Sequence, residues 1–204
     1  MNRELKKQQT REKIINVALQ LFRTNGYDET DIKTIARHVP ISPVTLYKYF
    51  PTKYALGSAT VIQFGMEMST RNHRILNDTS RSFPEKIHDL LHSNSESTKD
   101  MAESYYRLLI TFFQNTVSEL PSEFNLVEQS FWNDIIVQGR QEGYIHPDVS
   151  DVMIQIYIDM FIEYFRHPEN LQKFNLQGDF ARLDKEIDHL FYFGLIGSKI
   201  NTND

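Results

Sequence analysis

The feature that most constrains this chain is residues 30–53, where two short helical patterns meet at a proline turn. Asp31 stands as a helix N-cap ahead of Ile32, Ile35, Ala36 and Val39, whose three-to-four spacing puts one apolar stripe inward. Ala36 is small where a second helix must cross closely. Val39-Pro40-Ile41 interrupts the pattern, because proline lacks an amide donor and biases the preceding residue away from the helical region. Ser42 then restarts the chain as an N-cap, with Pro43 at the first helical position. The second helix is short and ends near Phe50-Pro51, anchored inward by Leu46 and Phe50. Two such helices joined by a tight turn have the layout of a DNA-reading helix-turn-helix.

The wider pattern of residues 8–57 resembles the TetR family of bacterial transcriptional regulators. The resemblance rests on Ala18-Leu19-Gln20-Leu21-Phe22, Asn25-Gly26-Tyr27, Ile35-Ala36, Ile41-Ser42, Thr45-Leu46-Tyr47, Tyr49-Phe50, Lys53 and Ala55-Leu56, in that order. It implies an all-α protein with an N-terminal three-helix DNA-binding head over residues 1–56. A helical effector-binding and dimerisation domain is expected over residues 57–204. Its implied function is that of a DNA-binding transcriptional regulator, a repressor released from a near-palindromic operator by a small apolar or aromatic effector. The alternative is an activator or an effector-independent DNA-binding protein. Double-stranded DNA, a second copy of the chain and a small-molecule effector are the implied partners, with no cofactor. Ser42, Thr45, Tyr47, Tyr49 and Lys53 are expected on phosphates, and Lys33, Pro43, Val44 and Lys48 near base edges.

Three positions depart from the family pattern. Pro40 stands where the family has a turn glycine, Val44 where it has glycine or a small residue, and Tyr54 where it has glutamate. Since proline cannot take positive φ, a locally different turn is expected at Pro40.

Charge is distributed in the same sense. Residues 1–56 hold ten Lys and Arg against five Asp and Glu, a net +5 in a chain of net −5, so the remainder carries −10. A basic head on an acidic body concentrates phosphate attraction at one end. Residues 3–9 are expected to form a mobile arm ahead of Thr10, which caps a first helix with the stripe Ile14, Ile15, Ala18, Leu21 and Phe22. Gly26 ends that helix in a left-handed cap.

Beyond residue 56 the pattern remains helical, with helices expected over 53–76, 84–93, 101–115, 124–141, 149–166 and 180–198, and a mobile polar loop over 93–98. The helix at 149–166 is apolar on two faces, Val149, Val152, Met153, Ile156, Met160 and Tyr164 against Ile154, Ile158, Phe161, Ile162 and Phe165. A helix apolar nearly all round needs cover on both sides. The resemblance makes the last two helices a dimer interface, assigned to Ile158, Phe161, Phe165, Phe193 and Ile196. The middle helices supply aromatic and adaptable surface for an effector: Phe64, Met68, Tyr105, Phe112, Phe113, Phe131 and Trp132.

Other chemistries find little support. The chain has no cysteine, which removes disulfides, thiolate metal sites and cysteine nucleophiles. His88 and His92 lie four apart without further ligands, so no metal site is assigned. Gly139-Arg140-Gln141-Glu142-Gly143 lacks the strand-turn-helix setting of a phosphate loop, and no nucleophile elbow is present, so no catalytic residue is assigned and the chain is not expected to be an enzyme. With no leader-like segment and no apolar run long enough to span a bilayer, a cytoplasmic location away from membranes is expected.

Overall fold

The computed structural model describes residues 3–115, 122–166, 170, 186, 189–192 and 194. Eight helices are defined among them: α1 (Arg3–Asn25), α2 (Ile32–His38), α3 (Pro43–Tyr49), α4 (Lys53–Leu76), α5 (Phe83–Thr98), α6 (Glu103–Asn115), α7 (Ser122–Gln141) and α8 (Asp151–Arg166). No strand occurs among the described residues. The chain divides into two compact units, Met1–Glu67 with Asp100–Val117, and Met68–Lys99 with Ser118–Asp204.

The first unit is built on α1. Ile14, Ile15, Ala18, Leu19 and Phe22 are buried along one side, so Leu19 takes the place expected of Leu21, which is only half-buried. Gly26 adopts φ 104° and its amide donates to the Phe22 carbonyl, ending the helix as a left-handed cap. Around α1 lie Ile32, Ile35, Ala36 and Val39 of the second helix segment, Leu46 and Phe50 of the third, and Leu56, Val61 and Phe64 of α4, all buried. Each such large apolar side chain contributes about 1.5–3 kcal/mol on burial. Helix α6 completes this core with Tyr105, Leu108 and Phe112, and the Ala102 amide at its start donates to the Arg23 carbonyl. The Tyr105 hydroxyl donates to Thr60 Oγ1 at 3.2 Å, and burial pushes its phenol well above the usual tyrosine range. Gly57 lets Tyr27 and Leu108 approach α4 to distances at which an added Cβ would clash.

Two expected mobile segments are helical instead. Residues 3–9 extend α1, and the Thr10 hydroxyl donates back to the Lys6 carbonyl at 2.8 Å rather than capping a start. The sequence there is Arg, Glu, Leu, Lys and Gln, all strong helix formers. In the second unit, residues 93–98 finish α5 rather than forming a loop. Ser97 and Thr98 are buried, and their hydroxyls donate to the Ser93 and Asn94 carbonyls one turn back. Hydroxyls satisfied in this way tolerate a helix interior.

The second unit is organised by α5, α7 and α8. Ser82 and Glu85 form a capping pair at the start of α5, the Glu85 carboxylate accepting the Ser82 amide at 2.8 Å and its hydroxyl at 2.7 Å. Leu76, Phe83, Ile87, Leu90, Phe131, Ile135, Ile136, Ile145, Ile154, Ile158, Phe191 and Tyr192 form one core. Gly143 takes φ 76° after α7, and the following turn is tied by Arg140, which donates to the His146, Pro147 and Val149 carbonyls and to the Asp151 carboxylate. The Gly139–Gly143 segment is therefore a helix end. No helix among the described residues is long and apolar enough to cross a membrane.

Candidate nucleic-acid interface

Local capping sets the geometry of the helix-turn-helix. Asp31 accepts the Thr34 amide at 2.6 Å and so starts α2, and bonding to Thr34 holds its carboxyl below the usual aspartate range. Helix α2 ends with the Ile41 amide donating to the Ala36 carbonyl at 3.0 Å. That is the outer bond of a Schellman motif, which places Pro40 at the left-handed position. Pro40 has φ 30°. The turn is therefore strained at Pro40, whose ring prefers about −65°. The companion bond from residue 40 is missing because proline has no amide hydrogen.

Ser42 then caps α3 by accepting the Thr45 amide at 3.0 Å, and the two hydroxyls lie 2.8 Å apart. Pro43 occupies the first turn, and Leu46 and Phe50 face the core. This leaves Val44 69% exposed and Tyr47 47% exposed, with Lys48 exposed beside them. Pro43, Thr45 and Tyr49 are half-buried, and Lys33 on α2 is exposed. Lys53 turns back onto its own unit: its ammonium lies 4.5 Å from the Tyr27 ring centroid and donates to the Asp28 carbonyl at 3.3 Å. Burial pushes the Tyr27 phenol upward.

Three further groups around the helix-turn-helix are exposed and were not among the expected contacts. Arg37 is exposed one turn after Lys33 and donates to Thr34 Oγ1 at 3.0 Å. The spacing of four from Lys33 was the available signal. Tyr54 is exposed at the start of α4, and Arg11 of α1 lies over the Phe50 ring at 5.1 Å.

The residues expected to line an effector site are divided between the units. Phe64, Tyr105 and Phe112 belong to the core of the first, whereas Met68, Phe131 and Trp132 belong to the second. Trp132 stacks edgewise on Phe131 and Phe191, both at 5.3 Å, so its wall is partly filled by the chain's own rings. Phe113 has its side chain outside the described residues.

Of the residues expected at a dimer interface, two pack within the subunit. Ile158 is 1% exposed and Phe161 packs on Phe191 at 5.0 Å, so both serve the subunit core. Periodicity alone did not say which apolar face of α8 turns inward. The exposed face is the other stripe, with Val152 70% and Met160 64% exposed, alongside Met153, Ile156 and Tyr164. The Phe165 side chain, Phe193 and Ile196 lie outside the described residues.

A capped recognition helix on a three-helix scaffold defines a helix-turn-helix protein. Residues 14–60 match the family model described as bacterial regulatory proteins, tetR family. The chain is 39% identical over 62 residues to the HTH-type transcriptional regulator UidR of Escherichia coli K12, an alignment covering 30% of this chain and 32% of that protein. It thus spans about a third of the length of that curated relative. To the HTH-type transcriptional repressor KstR2 of Mycobacterium tuberculosis it is 22% identical over 156 residues, covering 72% of this chain and 75% of the relative. A TetR/AcrR-family regulator from Thermobifida fusca shares the fold, with a TM-score of 0.56 at 23% identity over 90% of this chain and 97% of that one. Over residues 14–60 the chain is thus similar to the tetR family of bacterial regulatory proteins, and beyond them it shares the fold of such a regulator.

Proposed function

We propose that this protein is a DNA-binding transcriptional regulator that acts as a homodimeric repressor and releases a near-palindromic operator when a small apolar or aromatic effector binds. The observation carrying the reading is α3: seven residues, capped by Ser42, with Val44, Tyr47 and Lys48 outward on a head of net positive charge. A short helix presenting a methyl-bearing, an aromatic and a cationic side chain suits base edges and phosphates together. Repression is supported by the name of the KstR2 relative, which aligns over most of this chain.

Dimerisation is supported by the exposed stripe of α8. Val152, Met153, Ile156, Met160 and Tyr164 form a continuous apolar face whose exposure is costly for a monomer. A twofold partner presents the same face and covers it. Release by an effector requires only that the effector bind the two head spacings differently, by about 1–3 kcal/mol.

Selection of bound duplexes from a random-sequence library tests the reading. The expected result is an inverted repeat whose half-sites are centred about one helical turn apart, roughly 34–36 Å. Failure to enrich any sequence overturns it.

A further inference from the structure

We propose that the seam between α4 and α5 is the polar end of the effector site, where Ser69, Asn72 and Asn94 take a hydroxyl group carried by an apolar or aromatic molecule. This rests on the effector reading above and names the chemical group by which the effector is held.

All the residues concerned belong to the second unit. On α4, Ser69, Asn72 and Leu76 recur at three-to-four spacing along one stripe, and on α5 so do Ile87, Leu90, Asn94 and Ser97. Leu76, Ile87 and Leu90 share one core, so each stripe is apolar where it enters that core and polar further along. The polar stretch is nonetheless covered, with Ser69 5% and Ser97 7% exposed. Arg71 bridges the two helices there, its Nη2 donating to Ser97 Oγ.

Three side-chain atoms of this seam, Ser69 Oγ, Asn72 Oδ1 and Asn94 Oδ1, are buried without a hydrogen-bond partner in the protein. Buried polar groups are paired in nearly every case, and an unmet one costs folding free energy. Ser97 and Thr98 avoid that cost by donating to the Ser93 and Asn94 carbonyls, a route that Ser69 does not take. The chemistry of the three atoms selects the ligand group. Both amide oxygens only accept, so they repel a carboxylate, whereas a hydroxyl donates to them and can also accept from Ser69. The apolar part of the molecule has a surface beside them. His73 Nδ1 lies 2.9 Å from the Ser69 carbonyl, its ring packs on Phe131 at 5.4 Å, and Phe131 meets Trp132 at 5.3 Å. His73 thereby joins the polar seam to the aromatic cluster.

The test titrates the full chain with three matched probes, naphthols, methylnaphthalenes and naphthoates, and reads affinity by calorimetry. Naphthols are expected to bind about 10-fold more tightly than methylnaphthalenes, the gain from one net hydrogen bond, and more tightly than naphthoates. Ser69→Ala and Asn94→Leu should each shrink that preference while methylnaphthalene binding is kept. Ser69→Ala removes a single oxygen, so the comparison stands even if Asn94→Leu does not fold. Equal binding of naphthols and methylnaphthalenes, tighter binding of naphthoates, or a hydroxyl preference that survives the substitutions overturns the proposal and leaves the effector reading in place. If none of the three probes binds, the effector reading fails with it.

Discussion

Ser104 and Glu29 are joined by a hydrogen bond of 2.7 Å, donated by the serine hydroxyl, whose oxygen also accepts the Asp28 amide at 3.2 Å. One side chain at the start of α6 thereby fixes the turn between α1 and α2. The bond from Ser104 is the main reason the Glu29 carboxyl is held below the usual glutamate range. A lowered folded-state pKa means that this contribution is fully present above the ordinary glutamate pKa and is lost as pH falls through the lowered value. Ser104→Ala should return the Glu29 pKa toward the ordinary value, read by carboxyl NMR titration. It should also remove that part of the acid dependence of unfolding. An unmoved Glu29 titration would show that Ser104 does not set it.

Pro40→Gly should stabilise the head. Glycine adopts the left-handed position without strain and restores the missing amide of the Schellman motif. Against this stands the greater freedom of glycine in the unfolded chain, so a net gain of about 1 kcal/mol is expected. Thermal unfolding measures it, and a lowered midpoint would show that the φ of Pro40 is not a source of strain.

Ser42 has two roles that substitution separates. Ser42→Ala removes the α3 cap and should cost about 1 kcal/mol. Ser42→Asp keeps a cap but brings a negative charge to the proposed DNA face, so stability should be retained while affinity for a duplex falls. Equal affinity for the wild type and Ser42→Asp would remove residue 42 from the phosphate contacts.

On α8, Met160→Glu places a charge in the proposed dimer face and should yield a folded monomer, because a buried unpaired charge is costly. Ile158→Glu strikes the subunit core and should lose helical content instead. Sedimentation with circular dichroism distinguishes the two, and an intact Met160→Glu dimer excludes that face.

Trp132 is the only tryptophan in the chain and contacts Phe131 and Phe191. Effectors entering this aromatic cluster should change its emission and lower operator affinity over the same concentration range. Emission changes without operator release would separate the cluster from the switch.

What the sequence made legible was local. Asp31, Ser42, Pro43 and Gly26 announced helix ends through chemistry confined to a few residues, and the structure uses Asp31, Ser42 and Gly26 as caps. The α4 bounds follow likewise from Lys53 and Leu76. What was hidden depends on distant partners. Ile158 and Met160 are equally apolar on paper, and the core that gathers Ile154, Ile158 and Phe191 decides which turns inward. Tyr105 and Trp132 both read as cavity wall, yet Thr60 claims one and Phe191 the other. Ser97 and Thr98 read as loop because their polarity is visible and their bonds to the preceding turn are not.

The first unit is assembled from two stretches of sequence separated by residues 68–99. A fragment ending at residue 56 therefore leaves out Val61, Phe64, Tyr105, Leu108 and Phe112, five buried side chains of the same core. On the ribosome, the head has to wait for α6 to emerge before its core closes, although its helix-turn-helix was made some fifty residues earlier. Excising the first quarter of the chain and grafting it onto another protein would transfer the reading surface without the helix that holds its first turn in place.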